Sequence, residues 1–141
     1  MTETARASIR VAADRDTLWH ALTDPDTIAR YLFGTRVETD WQPGSPIVYR
    51  GEWEGKPYED RGTILDMVPG ERLLTSYYSP LSGKPDEPES YQDVSYHLAD
   101  DGDGTLVTVT QDGCADPADA ERMSANWAAT LQSLRSVVEA G

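Results

Sequence analysis

The sequence predicts an α+β domain in which a curved antiparallel sheet folds around one long helix. Three observations lead to this fold class. Two short helical segments, joined at Asp24 and Pro25, come directly after a first strand. Strand-like segments follow, and one long amphipathic segment ends the chain. The apolar stripe of that last segment needs a large apolar partner, and only the sheet provides one, so we expect a space between sheet and helix.

Composition restricts the class of protein. The chain has 141 residues, of which 38% are hydrophobic, which is enough for one domain with a core. Its N-terminus lacks the basic and apolar regions of a secretory signal, and no apolar run approaches the ~20 residues that cross a membrane. The single cysteine, Cys114, excludes an internal disulfide. We therefore expect a soluble cytoplasmic protein.

The charge balance argues against two classes of partner. The formal net charge is −13, and such a surface repels phosphate backbones and anionic membranes. We therefore expect neither nucleic-acid binding nor membrane insertion. The acidity fits an ordinary solvated surface, and adaptation to a high-salt habitat is an alternative that composition does not separate from it.

The first elements are a strand and two capped helices. Residues 5–12 contain a strand-like run, after which Asp14 can cap a first helix. Asp24 and Pro25 suit the N-cap and first position of a second helix, which Gly34 ends. The apolar positions of the two helices are Leu18, Trp19, Ala21, Leu22, Ile28, Tyr31 and Leu32.

Six further strands are predicted between turns that contain proline, glycine or aspartate. They span residues 36–41, 47–53, 58–68, 72–78, 91–98 and 105–111. Residues 79–90 have three prolines and no periodicity, so we expect a long exposed loop, either a functional lid or a tolerated insertion. The Asp-rich segment 100–104 lacks the spacing of an EF-hand, so a polar turn is expected there instead of a calcium site.

A long helix is predicted from Asp116 to Ala140. Asp116 can cap it, and Pro117 fits its first turn. About 24 residues give a helix of roughly 36 Å, long enough to cross a whole sheet. Its apolar stripe has spacings of three and four, and consists of Ala120, Met123, Trp127, Leu131, Leu134 and Val138.

Several of these segments together resemble a known family. The segments are LWHALTDPDTIARYLFG from Leu18, RGTILDMVPGERLLTSYY from Arg61, DVSYHLADDGDGTLVTVTQDGC from Asp93, and the last helix with Trp127. They are similar to the START-like, Bet v 1-like (SRPBCC) superfamily, and within it to the activator of Hsp90 ATPase homologue 1-like group. The resemblance spans about residues 5–139 and implies one START-like domain over residues 1–141. The implied architecture is the helix-grip fold, in which a seven-stranded antiparallel sheet grips the C-terminal helix and two small helices close one end.

The resemblance also implies a range of functions. Members hold a hydrophobic cavity, many bind lipids, polyketides or other apolar molecules, and some catalyse cyclisation or dehydration. We therefore expect binding of a small hydrophobic or aromatic molecule, as a monomer or a homodimer. The alternatives are an enzyme of the polyketide cyclase/dehydratase type and a protein-interaction or Hsp90 co-chaperone-like regulator. The co-chaperone that names the group has an additional N-terminal domain that is not seen in this sequence, so we do not expect Hsp90 stimulation.

Strand alternation predicts which side chains face the cavity. The inward faces of four strands and the helical stripe would give an apolar and aromatic lining with sparse polar groups, as ligand sites commonly have. The alternative is that the same residues simply fill the core. The predicted ligand-binding residues are Tyr49, Trp53, Thr75, Tyr77, Val94, Tyr96, Val109, Gln111, Met123, Trp127 and Leu131.

The sequence has no evident catalytic or metal-binding constellation. His20 and His97 are predicted to face solvent, and Cys114 has no partner base. Arg50 on the third strand could do acid–base work with Glu59 or Asp66 on the fourth if such a pair pointed inward. Strand parity instead puts Arg50 on the outer face with Glu52, so a surface ion pair is expected. We therefore expect no catalytic residue, no metal and no cofactor. The enzyme alternative would require a buried ionisable group that faces the cavity.

Overall fold

A computed structural model of the chain describes residues 3–32, 34–53, 55–79, 85–87 and 90–140, with the side chain of Trp53 excepted. Within these residues the chain forms seven strands and three helices. They are β1 (Glu3–Val11), α1 (Arg15–Thr23), α2 (Pro25–Tyr31), β2 (Arg36–Glu38), β3 (Pro46–Trp53), β4 (Lys56–Val68), β5 (Arg72–Tyr77), β6 (Gln92–Asp101), β7 (Gly104–Cys114) and α3 (Pro117–Glu139). The predicted order of elements is confirmed.

The seven strands form one antiparallel sheet in the order β1-β7-β6-β5-β4-β3-β2. The sheet is curved, and α3 lies on its inner face, as in the helix-grip fold. The predicted fold class is therefore confirmed. None of the helices in the described part of the chain combines the length and the hydropathy that a membrane span needs.

Aspartate caps begin all three helices, as predicted. The side chains of Asp14, Asp24 and Asp116 accept hydrogen bonds from the third backbone N–H that follows, at 2.8, 3.1 and 2.8 Å. Each cap satisfies a backbone donor that the helix itself leaves unpaired. Pro25 and Pro117 occupy first-turn positions, where a missing N–H costs nothing.

The hairpin between β6 and β7 is tighter than predicted. Asp101 pairs with Gly104, so both strands run into the segment that the sequence assigned to a loop. Gly102 makes this possible because it adopts a positive φ of 63° in the two-residue turn. The predicted loop over residues 79–90 lies mostly outside the described residues.

The core lies between α3, the two short helices and the inner face of the sheet. Its best-buried aliphatic side chains have exposed fractions below 2%: Leu18, Ile47, Ile64, Leu131, Leu134, Val11, Val107 and Val109. Both short helices contact α3 and supply Leu18, Leu22 and Ile28 to this core. They therefore close one end of the layer between sheet and helix, as the resemblance implied.

Candidate functional site

A cavity of about 260 Å³ lies between the inner face of the sheet and the N-terminal half of α3. We call it the sheet–helix cavity. Strands β3 to β7 form its floor, and α3 and the end of α2 form its walls. The lining residues are Leu32, Thr35, Tyr49, Tyr58, Asp60, Thr75, Tyr77, Val94, Tyr96, Gln111, Met123, Asn126, Trp127 and Thr130.

Most of the residues predicted to bind a ligand line this cavity. They are Tyr49, Thr75, Tyr77, Val94, Tyr96, Gln111, Met123 and Trp127. Val109 and Leu131 share the predicted faces but lie deeper, in the hydrophobic core, with exposed fractions of 0% and 1%. The side chain of Trp53 lies outside what the structure describes.

The cavity contains a buried acid, Asp60, whose carboxylate oxygens have different surroundings. One oxygen, Oδ2, accepts a short hydrogen bond from the hydroxyl of Tyr77. The other, Oδ1, is buried and has no hydrogen-bond partner in the described part of the chain. A buried carboxylate oxygen without a donor is unusual, because its lost hydration is not replaced. Asp60 is thus a polar group with unused hydrogen-bonding capacity at the cavity.

A polar chain connects α3 to the sheet at the opposite wall. The indole Nε1–H of Trp127 donates to Oε1 of Gln111 at 2.8 Å, and Nε2 of Gln111 donates to Oε1 of Gln92 at 2.8 Å. The Trp127 ring meets Tyr96 edge to face, with ring centroids 5.8 Å apart. These contacts fix the orientation of the largest aromatic wall of the cavity.

Three tyrosines of the cavity, Tyr49, Tyr77 and Tyr96, remain neutral over a wide pH range because their pKa values are raised. Burial, with the nearby charge of Asp60, raises the pKa of Tyr49 to about 12. Burial likewise raises the pKa of Tyr96 and Tyr77 well above the usual value of a phenol. Tyr49 and Tyr77 also meet edge to face, at 5.8 Å between centroids. These three phenols therefore act as neutral hydrogen-bonding groups and aromatic surfaces, not as anions.

Six lining residues were not among the predicted ligand-binding residues: Leu32, Thr35, Tyr58, Asp60, Asn126 and Thr130. Asp60 has the strand parity of Ile64, which faces the core, so alternation was the signal that could have found it. Thr35 lies in a short connection with no periodicity, and its hydroxyl pairs with that of Tyr58 at 2.6 Å. Tyr58 lies over Gly51, where any Cβ would overlap the phenol ring. No pattern in the sequence predicts the Thr35 contact.

Other candidate groups lie away from the cavity, as predicted. His20 and His97 are exposed. Arg50 forms exposed ion pairs with Glu38 and Glu59, at 2.6 and 2.9 Å, on the outer face of the sheet. In the described residues, no group of three His, Cys, Asp or Glu side chains is placed to hold a metal ion.

Cys114 is the last residue of β7 and is fully buried. Burial raises the pKa of its thiol, so little of the nucleophilic thiolate is present at neutral pH. This supports the interpretation of Cys114 as a packing residue.

A second depression, of about 530 Å³, lies on the face of β3 and β4 that points away from α3. Its lining includes Glu59, Arg61 and Tyr91. Arg61 forms exposed ion pairs there with Glu59 and Asp86, at 3.6 and 3.3 Å. Such pairs contribute little, and Tyr91 is the one aromatic side chain among the described lining residues, whereas the sheet–helix cavity has five.

Comparison with protein families agrees with this architecture. The profile of the family described as Activator of Hsp90 ATPase homolog 1-like protein matches residues 12–139. The chain belongs to this family. The match covers every element from α1 to α3, so the cavity lies wholly within the family's domain. No curated protein sequence matches the chain significantly.

Among solved structures, one relative is similar to this chain in sequence as well as in fold. ChR145 from Cytophaga hutchinsonii is 39% identical, with 97% of this chain and 94% of that chain covered and a TM-score of 0.85. DynU16, a protein in the dynemicin biosynthetic locus, is 21% identical with a TM-score of 0.77. The match covers 96% of this chain and 47% of the DynU16 chain. The Aha1 dimer from Colwellia psychrerythraea is 18% identical, with 97% and 96% covered and a TM-score of 0.74. The last two show the shared fold alone.

Proposed function

We propose that this protein binds a small apolar or aromatic molecule in the sheet–helix cavity. The observation that carries the proposal is an open volume of about 260 Å³ surrounded by five aromatic side chains. Ligand sites in proteins are typically apolar with a few well-placed polar groups. The cavity has that composition, with Thr35, Asp60, Thr75 and Gln111 as the buried polar groups.

The size of the cavity suggests the size of the ligand. Its volume lies between the ~150 Å³ that holds benzene in an engineered core and the ~300 Å³ at the lower end of drug-sized sites. A molecule of about one or two rings would fit. Protein interiors are close-packed, so core packing alone does not account for an open space of this size.

A dye-displacement titration tests the proposal. An environment-sensitive apolar dye should bind the wild-type protein, and Trp127→Ala should weaken binding by roughly tenfold or more because a large aromatic wall is lost. Trp19→Ala is the size-matched control, since Trp19 packs against the core but does not line the cavity. Native mass spectrometry of the purified protein would detect a retained ligand. Equal dye affinity in wild type and Trp127→Ala would overturn the proposal.

A second candidate function is acid–base catalysis, and the Asp60–Tyr77 pair favours it. General acid–base chemistry needs an ionisable group within hydrogen-bond reach of the reacting atoms. Asp60 borders the cavity and is bonded to the Tyr77 hydroxyl, so a substrate there would meet both groups. The enzyme type that the sequence resemblance implies is a polyketide cyclase or dehydratase, and DynU16, which shares the fold, comes from a biosynthetic locus.

The catalytic candidate has its own test. A synthetic poly-β-ketone thioester would be incubated with the protein, and loss of water followed by mass spectrometry. Wild type and the outer-face control Glu59→Gln should accelerate the loss, and Asp60→Asn should not. Equal rates with protein and with buffer would contradict catalysis of this type, without affecting the binding proposal.

A further inference from the structure

The lining of the sheet–helix cavity carries charge of one sign. Among the described lining residues, Asp60 is the one acid, and none is lysine, arginine or histidine. The arginines nearest in sequence, Arg50 and Arg61, lie on the outer face of the sheet and pair with carboxylates there. No described protein cation therefore faces the Asp60 carboxylate from inside the cavity.

The hydrogen bonds of Asp60 are incomplete in a way that points to a ligand. Tyr77 satisfies Oδ2, and Oδ1 has no partner in the described part of the chain although it is buried. Tyr49, its neighbour in register on β3, directs its phenol toward Thr75 instead. A buried carboxylate is stabilised when a cation or donor reaches its free oxygen.

The remaining surface of the cavity also suits a positive charge. The faces of aromatic rings carry negative potential and attract ammonium groups within about 6 Å. Four tyrosines and Trp127 line the cavity. These tyrosines are Tyr49, Tyr58, Tyr77 and Tyr96. An anion would instead meet Asp60 and the negative ring faces, with no described cation to balance it.

From these observations we infer that the cavity is specific for an organic cation, that is, an apolar or aromatic molecule that carries a positively charged nitrogen. The inference rests on the proposed binding function, since it names the class of molecule bound. The nitrogen would lie against Asp60, and the apolar body would lie against the Tyr96 and Trp127 rings. The net charge of −13 would attract such a ligand from solution.

Three soluble probes of similar size test the inference: phenethylammonium, phenethyl alcohol and hydrocinnamate. They share a phenyl ring on a short chain and end in a cation, a neutral hydrogen-bond donor and an anion. Each would be titrated into isotope-labelled protein while the Trp127 indole N–H resonance is followed by NMR. We expect the cation to bind roughly tenfold or more tightly than the alcohol, with the anion weakest, because a charged hydrogen bond is added.

Two variants assign the preference to Asp60. Asp60→Asn should reduce the affinity for phenethylammonium to that for phenethyl alcohol. Glu59→Gln makes the same change in charge on the same strand, but on the outer face, and should leave both affinities unchanged. Tyr77→Phe keeps the carboxylate and should retain the preference for the cation. The order of the three probe affinities in the wild-type protein tests the inference even if Asp60→Asn does not fold.

The outcomes separate this inference from the function on which it rests. If the alcohol or the anion binds as tightly as the cation, the inference is overturned and the proposed binding function stands. If no probe shifts the Trp127 resonance and the dye does not bind either, both are overturned.

Discussion

The two halves of α3 carry one continuous apolar stripe but meet the sheet in different ways. In the C-terminal half, Leu131 and Leu134 are 1% exposed and belong to the same core as Val107. In the N-terminal half, Met123 and Trp127 are half-buried and border an open cavity. A helical stripe thus shows which face of a helix turns inward, but not how closely that face is packed.

The chemistry of the facing residues explains the difference. Aliphatic side chains have no polar atoms, so the C-terminal half can pack without water or a ligand. The N-terminal half faces tyrosines, Gln111 and Asp60, whose polar atoms need partners. Some partners come from the protein, as in the Trp127–Gln111 bond, and one oxygen of Asp60 finds none among the described residues. The polar end is therefore the end where a bound molecule would add stability.

The largest effect on stability is expected in the C-terminal half of α3, from Leu131→Ala. Removing a fully buried leucine side chain should lower the free energy of unfolding by about 2–5 kcal/mol, since it leaves a cavity in a closely packed core. Urea denaturation measures this loss, and dye affinity should not change because Leu131 does not line the cavity. Leu65→Ala, at a side chain that is 45% exposed, should cost less than about 0.5 kcal/mol. If Leu131→Ala and Leu65→Ala lowered the free energy of unfolding equally, the C-terminal half of α3 would not be tightly packed.

Alkaline pH should lower the free energy of unfolding through Tyr49, which lines the sheet–helix cavity. Its pKa is about 12 in the folded protein and about 10 when unfolded, so the unfolded chain releases the proton more readily. The stabilisation is complete below about pH 10 and is lost as the pH rises through 12. Between about pH 9 and pH 12, the stability advantage of wild type over Tyr49→Phe should fall by about 2 kcal/mol. Urea denaturation at each pH measures it, and a constant difference would contradict the burial of Tyr49.

Gly51→Ala should distort the cavity wall by displacing Tyr58. The new Cβ would lie 2.6 Å from Cζ of Tyr58, so the ring must move and give up its 2.6 Å bond to Thr35. We expect a loss of about 1–2 kcal/mol in urea denaturation, together with weaker dye binding. In a Tyr58→Ala background the same substitution should cost much less. A cost that does not depend on Tyr58 would place the strain in the backbone instead.

The smallest effect is expected from Trp127→Phe, which keeps the aromatic wall and removes the indole donor. Losing the hydrogen bond to Gln111 should lower the free energy of unfolding by about 1 kcal/mol, as measured by urea denaturation. The loss should be no larger because the Gln111 side chain keeps its bond to Gln92. Dye affinity should stay within about threefold of wild type, since most of the aromatic surface is retained. A cost as large as that of Leu131→Ala would remove the contrast between the two halves of α3.

Local patterns predicted the elements and much of the cavity lining, but not its polar contacts. Alternation placed Tyr77 and Gln111 on inner faces, and helical spacing placed Trp127 opposite them, because both patterns depend on neighbours along the chain. Asp60 was missed because an acid in a strand is usually solvated, although its parity with Ile64 indicated burial. The Thr35–Tyr58 bond joins a loop to a strand, and no periodicity relates the two.

The sequence by itself determined the order of the elements, the three helix caps and the faces that turn inward. These follow from backbone geometry and from side chains within one helical turn or one strand. The tertiary structure alone decided where the inward faces meet closely and where they stand apart. That depends on how the curved sheet, which contacts α3 through β1 and β7, holds β3, β4 and β5 away from one end of the helix, and no local pattern specifies it. It also decided that Asp60 borders this space and that one of its carboxylate oxygens is buried without a partner in the described chain, and this is the feature on which the proposed ligand class depends.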